Sequence, residues 1–440
     1  VSTKLARMAQ KVQVDARVPA LSVALHRADR PLWQLHVGAD SDSQFRIGSV
    51  TKTFTAVLVM QARDDGLLDL DDPLGRHLDV PAHGELTVRR LLSHTSGIQR
   101  EPYGDVWDTL QAPDTERLIA ELVRAERVLP PARRYHYSNL GLSLLGHAVG
   151  RLRGGTWAEV VEDRILRPLG LSGTTVERTE RAVTGYLVEA YSDHARPEPW
   201  TDTGAIAPAG QLWSTAADMA RWAAFLSDPA ALDPAGAVLA PASLDEMRWP
   251  LTTTDETLWT AGFGLALILV PQGERVMHVG HDGAMPGFLA GVYGRRGGDG
   301  TPAAMGCAVL GSSGTAVEVL DLPHKLLAAA VEEDPADIAR WTPGEPAPEA
   351  YRSVLGRWWS EGFEHVFSWR DGALQARSAL DQPGRPPAIF QAEEADILRT
   401  ASGREAGELL RLTRDAQGTV VRMHWATYRF TRDQQTFEGT

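Results

Sequence analysis

A chain of 440 residues, 43% hydrophobic and 23% charged, is longer than one hydrophobic core usually serves, so the composition predicts a folded protein of two domains and sets disorder aside. The net charge of -13 repels phosphate backbones and anionic lipid, and no run of Lys or Arg makes a local exception, so neither nucleic acid nor a membrane surface is an expected partner. A single cysteine, Cys307, lies in an apolar run and reads as a small buried hydrophobe; there is no disulfide framework and no ligand spacing for zinc, so neither a metal nor a cofactor is expected.

In chain order, Val1 to Ala20 predicts a short amphipathic helix, because Leu5, Met8, Val12 and Val14 are interrupted by Lys4, Arg7, Lys11 and Asp15. That stretch lacks the apolar core of a secretory signal, and no other segment approaches the roughly 20 apolar residues of a membrane span, so a cytoplasmic protein is expected. Leu21 to Arg27 and Leu32 to Gly38 predict a hairpin turned at Ala28 to Pro31. After Phe45-Arg46-Ile47-Gly48-Ser49 comes a helical pattern with Phe54, Val57, Leu58 and Met60 as its apolar stripe, ending at Gly66. From Leu67 to about Glu180 the segments are helical, broken by Pro and Gly. Strand-like runs return at Gly262 to Val270, Arg275 to Val279, Phe288 to Tyr293 and Ala303 to Leu310, before a helix from about Leu320 to Val331.

Strands at both ends of a helical block predict an α+β domain over residues 1–333, a sheet subdomain carrying a helical insertion. Four prolines among acidic residues make 334–348 a linker. Residues 349–440 carry short alternating runs between turn residues, at Gly356 to Trp359, Val366 to Trp369, Ala373 to Arg377, Leu409 to Thr413, Val420 to Trp425 and Tyr428 to Thr431. That texture predicts a small antiparallel sheet or barrel.

Of 44 basic residues only four are lysines, Lys4, Lys11, Lys52 and Lys325, which leaves 40 arginines, and Asn139 is the sole asparagine. In such a chain each Lys and Asn is informative, since a desolvated lysine can lose its proton and act as a base where arginine cannot. Ser49 and Lys52 form the one Ser-x-x-Lys match, placed at a helix start where both side chains share a face and the backbone N–H groups favour negative charge on an attacked carbonyl. Tyr137-Ser138-Asn139 sets a phenol that can pass a proton two residues from an amide that can hold a substrate amide, with Tyr135 as a competing phenol. His281-Asp282-Gly283-Ala284 is the third element: Gly283 would let a substrate backbone lie against a strand, and the N–H of Ala284 could join that of Ser49 as an oxyanion hole. His278-Val279-Gly280 offers the same spacing.

The order Ser49-x-x-Lys52, Tyr137-x-Asn139, His281-x-Gly283 resembles the three motifs of the serine β-lactamase and penicillin-binding-protein superfamily, in the branch of class C β-lactamases, D-amino-acid peptidases and related esterases. Gly66 to Pro73, Leu91 to Ile98 (LLSHTSGI), Pro168 to Leu171 and Ala209 to Met219 (AGQLWSTAADM) carry the same likeness, which covers roughly residues 1–331. The resemblance implies that Ser49 forms an acyl-enzyme, that Lys52 and Tyr137 share its proton traffic and that Asn139 holds the substrate amide. The Pro286-Gly287-Phe288 tail favours His281 over His278.

His281 stands where β-lactamases and DD-carboxypeptidases usually place Lys, which makes a free carboxylate a less suitable substrate group. With the C-terminal module, this looks like the penicillin-binding-protein-type thioesterases, in which a lipocalin-like domain follows the catalytic one. That likeness implies a nonribosomal peptide cyclase that takes a peptidyl group from a carrier-protein thioester onto Ser49 and releases it as a macrolactam, with a peptidyl carrier protein as partner. A hydrolase of the same fold, whether esterase, D-aminopeptidase or weak β-lactamase, is the alternative; a non-catalytic binding protein is the third reading. Trp213, beside Gly210, is expected to line the pocket, and Arg422 is the candidate in the C-terminal module for gripping the incoming peptide.

Overall fold

The computed structural model describes residues 2–434 except 133, 256, 299 and 383. The chain divides into two compact units at 338/339.

The first unit is built on an eight-stranded antiparallel sheet. Its strands are β1 (Leu21–Arg27), β2 (Arg30–Val37), β3 (Thr252–Thr253), β4 (Gly262–Phe263), β5 (Ile268–Pro271), β6 (Met277–Met285), β7 (Phe288–Arg296) and β8 (Met305–Gly311), in the spatial order β2-β1-β8-β7-β6-β5-β4-β3. The N-terminal hairpin therefore joins β8 from far along the chain, with Leu21 opposite Gly311 and His26 opposite Gly306. The expected run at Gly262 to Val270 is two short strands, and the run beginning near Arg275 continues to Met285, so the His281-x-Gly283 element lies within a strand.

Alternation along β8 explains how both faces of the sheet are covered. Met305, Cys307 and Val309 face one core with Leu5 and Ala9 of α1 (Ser2–Asp15) and with Leu322, Leu326 and Leu327 of the C-terminal helix Glu318–Glu333. Ala308 and Leu310 face the other, larger core. There lie α2 (Thr51–Asp64), α3 (Asn139–Leu152) and α4 (Ala216–Ser227). Cys307 is a buried free thiol, pushed up in pKa by its burial.

Helix α2 departs from the expected amphipathic stripe, for every residue from Thr51 to Ala62 is buried. Its threonines tolerate this because each hydroxyl finds a buried partner. Thr53 and Thr55 accept from the indole N–H groups of Trp222 (2.8 Å) and Trp157 (2.9 Å), and Thr55 donates to the Pro208 carbonyl (2.7 Å).

The second unit is an eight-stranded antiparallel barrel in simple sequential order: β9 (Gly356–Ser360), β10 (Phe363–Arg370), β11 (Ala373–Ser378), β12 (Ala388–Glu394), β13 (Ile397–Thr400), β14 (Leu409–Arg414), β15 (Val420–Trp425) and β16 (Tyr428–Phe430). Reciprocal bonds between Trp359 and Thr431, 2.9 and 3.0 Å, bring the last strand back to the first. Its core is a set of inward-facing apolar residues including Trp358, Phe367, Phe390, Leu410 and Met423. The fold is thus a β-lactamase-like α/β domain followed by a lipocalin-like barrel.

Leu310 is fully buried between the sheet and the helical body. Leu310→Ala is expected to lower the unfolding free energy of the first unit by about 2–5 kcal/mol, read as a lower urea midpoint at unchanged slope.

Candidate active site

The nucleophile is set by a short pairing of Phe45–Arg46 with Trp213–Ser214, after which Ile47 N–H donates to Leu212 O (3.0 Å) and the chain turns through Gly48–Val50 into α2. The end of β6 lies directly against this turn. A methyl group on Gly283 would sit 1.9 Å from Ile47 O, and one on Gly48, whose φ is +50°, would sit 2.7 Å from Ala284 N. Gly283 is therefore required by the nucleophile's own turn, in addition to lining the cleft where a substrate backbone was expected to lie. The same contact puts the Ala284 backbone beside Ser49, where two N–H groups can converge on one oxygen.

Lys52, fully buried, reaches Ser49 Oγ at 2.9 Å and donates to Ala209 O at 2.7 Å. Burial holds its pKa well below the usual lysine range; nearby Glu101 opposes this and Arg100 adds to it. Tyr137 hydrogen-bonds Ser49 through its side chain, and its burial raises the phenol's pKa far above the ordinary value. Lys52 Nζ lies 4.8 Å from the centre of the Tyr137 ring. The two shifts assign the roles: the amine can be neutral and accept the Ser49 proton, while the phenol stays protonated and can donate.

Tyr137 is held by His94, whose ring lies 4.4 Å from it and whose Nδ1 accepts the Ser138 N–H at 3.1 Å. Tyr135, the competing phenol, packs on His94 and Phe263 instead, though it also lines the cleft. Ser138 caps α3 by accepting from Gly141 N–H, and this fixes Asn139 as the first helical residue. Asn139 Nδ2 donates to Glu101 Oε1 at 2.6 Å, so this amide is engaged by a carboxylate in the structure.

His281 is buried, and its pKa is pushed down to about 3, first by desolvation and then by Lys52. Its Nδ1 lies 2.5 Å from Asp282 O, so Nδ1 carries the proton and Nε2 presents a bare lone pair; that nitrogen is buried without a partner. His278, by contrast, pairs with His324 at 2.8 Å and takes no part in lining the cleft.

Ser49, Tyr137, Asn139, His281, Gly283 and Ala284 line one cleft of about 720 Å³, which Arg100, Glu101 and Trp107 complete. Two expected residues stand elsewhere. Trp213 is fully buried, edge-on to Phe288 and beneath Arg46, and does not line the cleft. Gly210 sits behind the turn, facing Gly48 and Met285. What the AGQLW segment supplies is the Ala209 carbonyl on Lys52. Arg422 is exposed on β15 of the barrel, opposite Thr413. His94 and Glu101 are site residues that motif reading did not single out; His94 lay inside the LLSHTSGI run, while no pattern marked Glu101. Among the described residues there is no group of three or more His, Cys, Asp or Glu that could hold a metal, and no helix is long and apolar enough to cross a membrane.

The β-lactamase family model matches residues 5–313, seven-tenths of the chain. The chain belongs to the β-lactamase family. A second model, a domain of unknown function (DUF7586), matches 347–432. Penicillin-binding protein 4 of Amycolatopsis lactamdurans is 33% identical over 57% of this chain and 68% of its own length. Unguisins hydrolase ungD' of Aspergillus campestris is 28% identical over 62% of this chain and 55% of its own. The chain spans between 36% and 68% of the length of these and other curated relatives. The crystal structure of SurE, also solved with D-Leu, shares the fold across 98% of this chain and 99% of its own at 24% identity and a TM-score of 0.62. This β-lactamase-family chain thus carries the serine machinery of a hydrolase and acyltransferase family.

With Lys52 as the base, its lowered pKa predicts that acylation of Ser49 by an activated ester rises with pH and levels off well below the usual lysine range near 10.5. A rate still climbing there would remove Lys52 from that role. Lys52→Arg should abolish acylation at every pH, because a guanidinium stays protonated.

Proposed function

We propose that this β-lactamase-family enzyme takes the peptidyl group of a carrier-bound thioester, joined through a D-configured residue, onto Ser49 and releases it by attack of the peptide's own amine. The supporting observation is His281. A neutral imidazole whose Nδ1 is tied to Asp282 O lines the cleft and offers no cation there to anchor the free carboxylate that β-lactams and cell-wall peptides carry. An acyl donor with its carboxyl already esterified needs no such anchor. The end-to-end likeness of fold to SurE, solved with D-Leu, and the likeness to a hydrolase named for unguisins bear on the donor's class.

In the proposed sequence Lys52 Nζ accepts the Ser49 hydroxyl proton as Oγ attacks the thioester carbonyl. The oxyanion faces the N–H groups of Ser49 and Ala284, the C–S bond breaks, and the proton leaves Lys52 by way of Tyr137 to the departing thiolate. An amine then attacks the Ser49 ester, gives its proton back through the same pair, and the C–O bond breaks to restore the hydroxyl. The second reading, hydrolysis, substitutes water for the amine and uses identical groups.

A synthetic peptidyl thioester ending in a D-residue separates the two by product mass: cyclic amide supports the first reading, and linear acid alone across a range of peptides sinks it. Ser49→Ala should lower turnover by at least about 1,000-fold. His281→Lys, which restores a cation at this position, should speed acylation by a carboxylate-bearing penicillin about tenfold; no gain would remove His281 as the discriminating group.

A further inference from the structure

The second unit's barrel has two unlike ends. At one end the connections are short, at 371–372, 395–396 and 415–419, and the opening is filled. The turn of helix Glu349–Arg352 lies across it, with Arg414 donating to Ala350 O (2.8 Å), Val420 N–H donating to Ser353 Oγ (3.0 Å), and Tyr351 stacked on Trp369. At the other end a cavity of about 390 Å³ opens between Leu380, Asp381 and Arg385 of one connection and Gly403, Arg404 and Glu405 of another.

Its floor is apolar. Trp425 and Phe430 are buried, His365 stands edge-on to both, and Ala376 and Ala388 leave the space that larger side chains would fill. Trp425 is already satisfied by Thr400 (2.8 Å). Ser360 lines the same cavity and is not: its Oγ is buried with no partner, which is unfavourable unless something arrives to bond it. The rim exposes three large apolar side chains, Phe363 at 52%, Leu380 at 71% and Tyr428 at 50%, a concentration that a solvated surface does not favour. The rim's arginines already have carboxylate partners, Arg385 with Asp381 (2.9 Å) and Arg404 with Glu405 (3.7 Å), whereas Glu361 has no ion pair among the described residues.

We propose that this open end of the barrel is a binding site for a small neutral amphiphile, its apolar body against Trp425 and Phe430 and its hydroxyl or amide on Ser360. A free fatty acid would meet no unpaired cation and would face Glu361, so charge selects the neutral head. The volume is that of an ordinary small-molecule pocket, with room for a two-ring aromatic or a chain of medium length. The site is independent of the acyl chemistry at Ser49.

The test uses the whole chain and prodan, a neutral naphthalene dye whose emission shifts blue in apolar surroundings. One saturable site is expected, displaced by decanol at least about tenfold more effectively than by decanoate. Ala376→Trp fills the cavity and Leu380→Glu charges its rim, and each should weaken prodan about tenfold while acylation of Ser49 is unchanged. Leu380 is exposed, so that variant remains decisive where the filled core disturbs the barrel. Absence of saturable binding, binding that both variants leave untouched, or displacement by decanoate as effective as by decanol would overturn the proposal.

Discussion

An ammonium group cannot be taken into a dry interior at small cost, and the first unit is organised around taking one there. Lys52 is fully buried, beneath a nucleophile that must itself face a cleft. Burial at that depth disfavours the charged ammonium and pushes its pKa well below the usual lysine range, toward the neutral amine that could serve as a base. The burial has to come from every side. Helix α3 packs along α2, α4 stacks Trp222 on its Phe54, and the Ala209 carbonyl accepts a hydrogen bond from the amine. The threonines on α2 let a helix carrying polar residues be packed all round, because each hydroxyl finds a partner: Thr51 the Leu212 N–H, and Thr53 and Thr55 an indole and a carbonyl each.

The same desolvation reaches the neighbours and gives each a different task. It raises the Tyr137 phenol, so that group holds its proton, and it lowers His281 and His94, so those rings stay neutral. Around Ser49 burial thus pushes Lys52, Tyr137, His281 and His94 each toward its neutral form. At the mouth Arg100 and Glu101 lie 3.5 Å apart. Glu101 favours the charged form of Lys52 and Arg100 opposes it. A substrate that disturbed this pair would therefore alter the strength of the base, which links what enters the cleft to how readily Ser49 is activated.

Much of this was legible in the residues, and for a compositional reason. In a chain that writes arginine by default, Lys52 and Asn139 stood out; the order of three motifs did the rest. The sheet at the two ends of the chain was legible from alternation. What escaped was set by distance. Trp213 reads as a pocket residue because it adjoins Gly210, yet a two-residue pairing with Phe45–Arg46 turns it inward. Glu101 carries no periodic or motif signal, since its place beside Asn139 is made by a loop. In the barrel, β12 and β13 were hidden because the hairpin between them runs through Glu393, Glu394 and Asp396, whose acidic side chains read as a solvated loop while Phe390 and Leu398 point inward.

The glycines beside the nucleophile show how such a site tolerates so little change in its own frame while its substrates vary. Gly48 and Gly283 are spent on bringing β6 onto the turn that carries Ser49, a contact of backbone on backbone with no side chain to adjust. The oxyanion position is therefore fixed by main chain alone, and it is the same for any carbonyl presented to it. Selection falls to side chains that project over the cleft from other elements: His281 from the strand, Asn139 and Glu101 from the helical body. His281 occupies a strand position that faces the nucleophile by alternation, so exchanging its side chain changes the charge offered to substrate without moving either N–H group. The neutral imidazole found there is the physical ground on which the proposal of a donor without a free carboxylate rests.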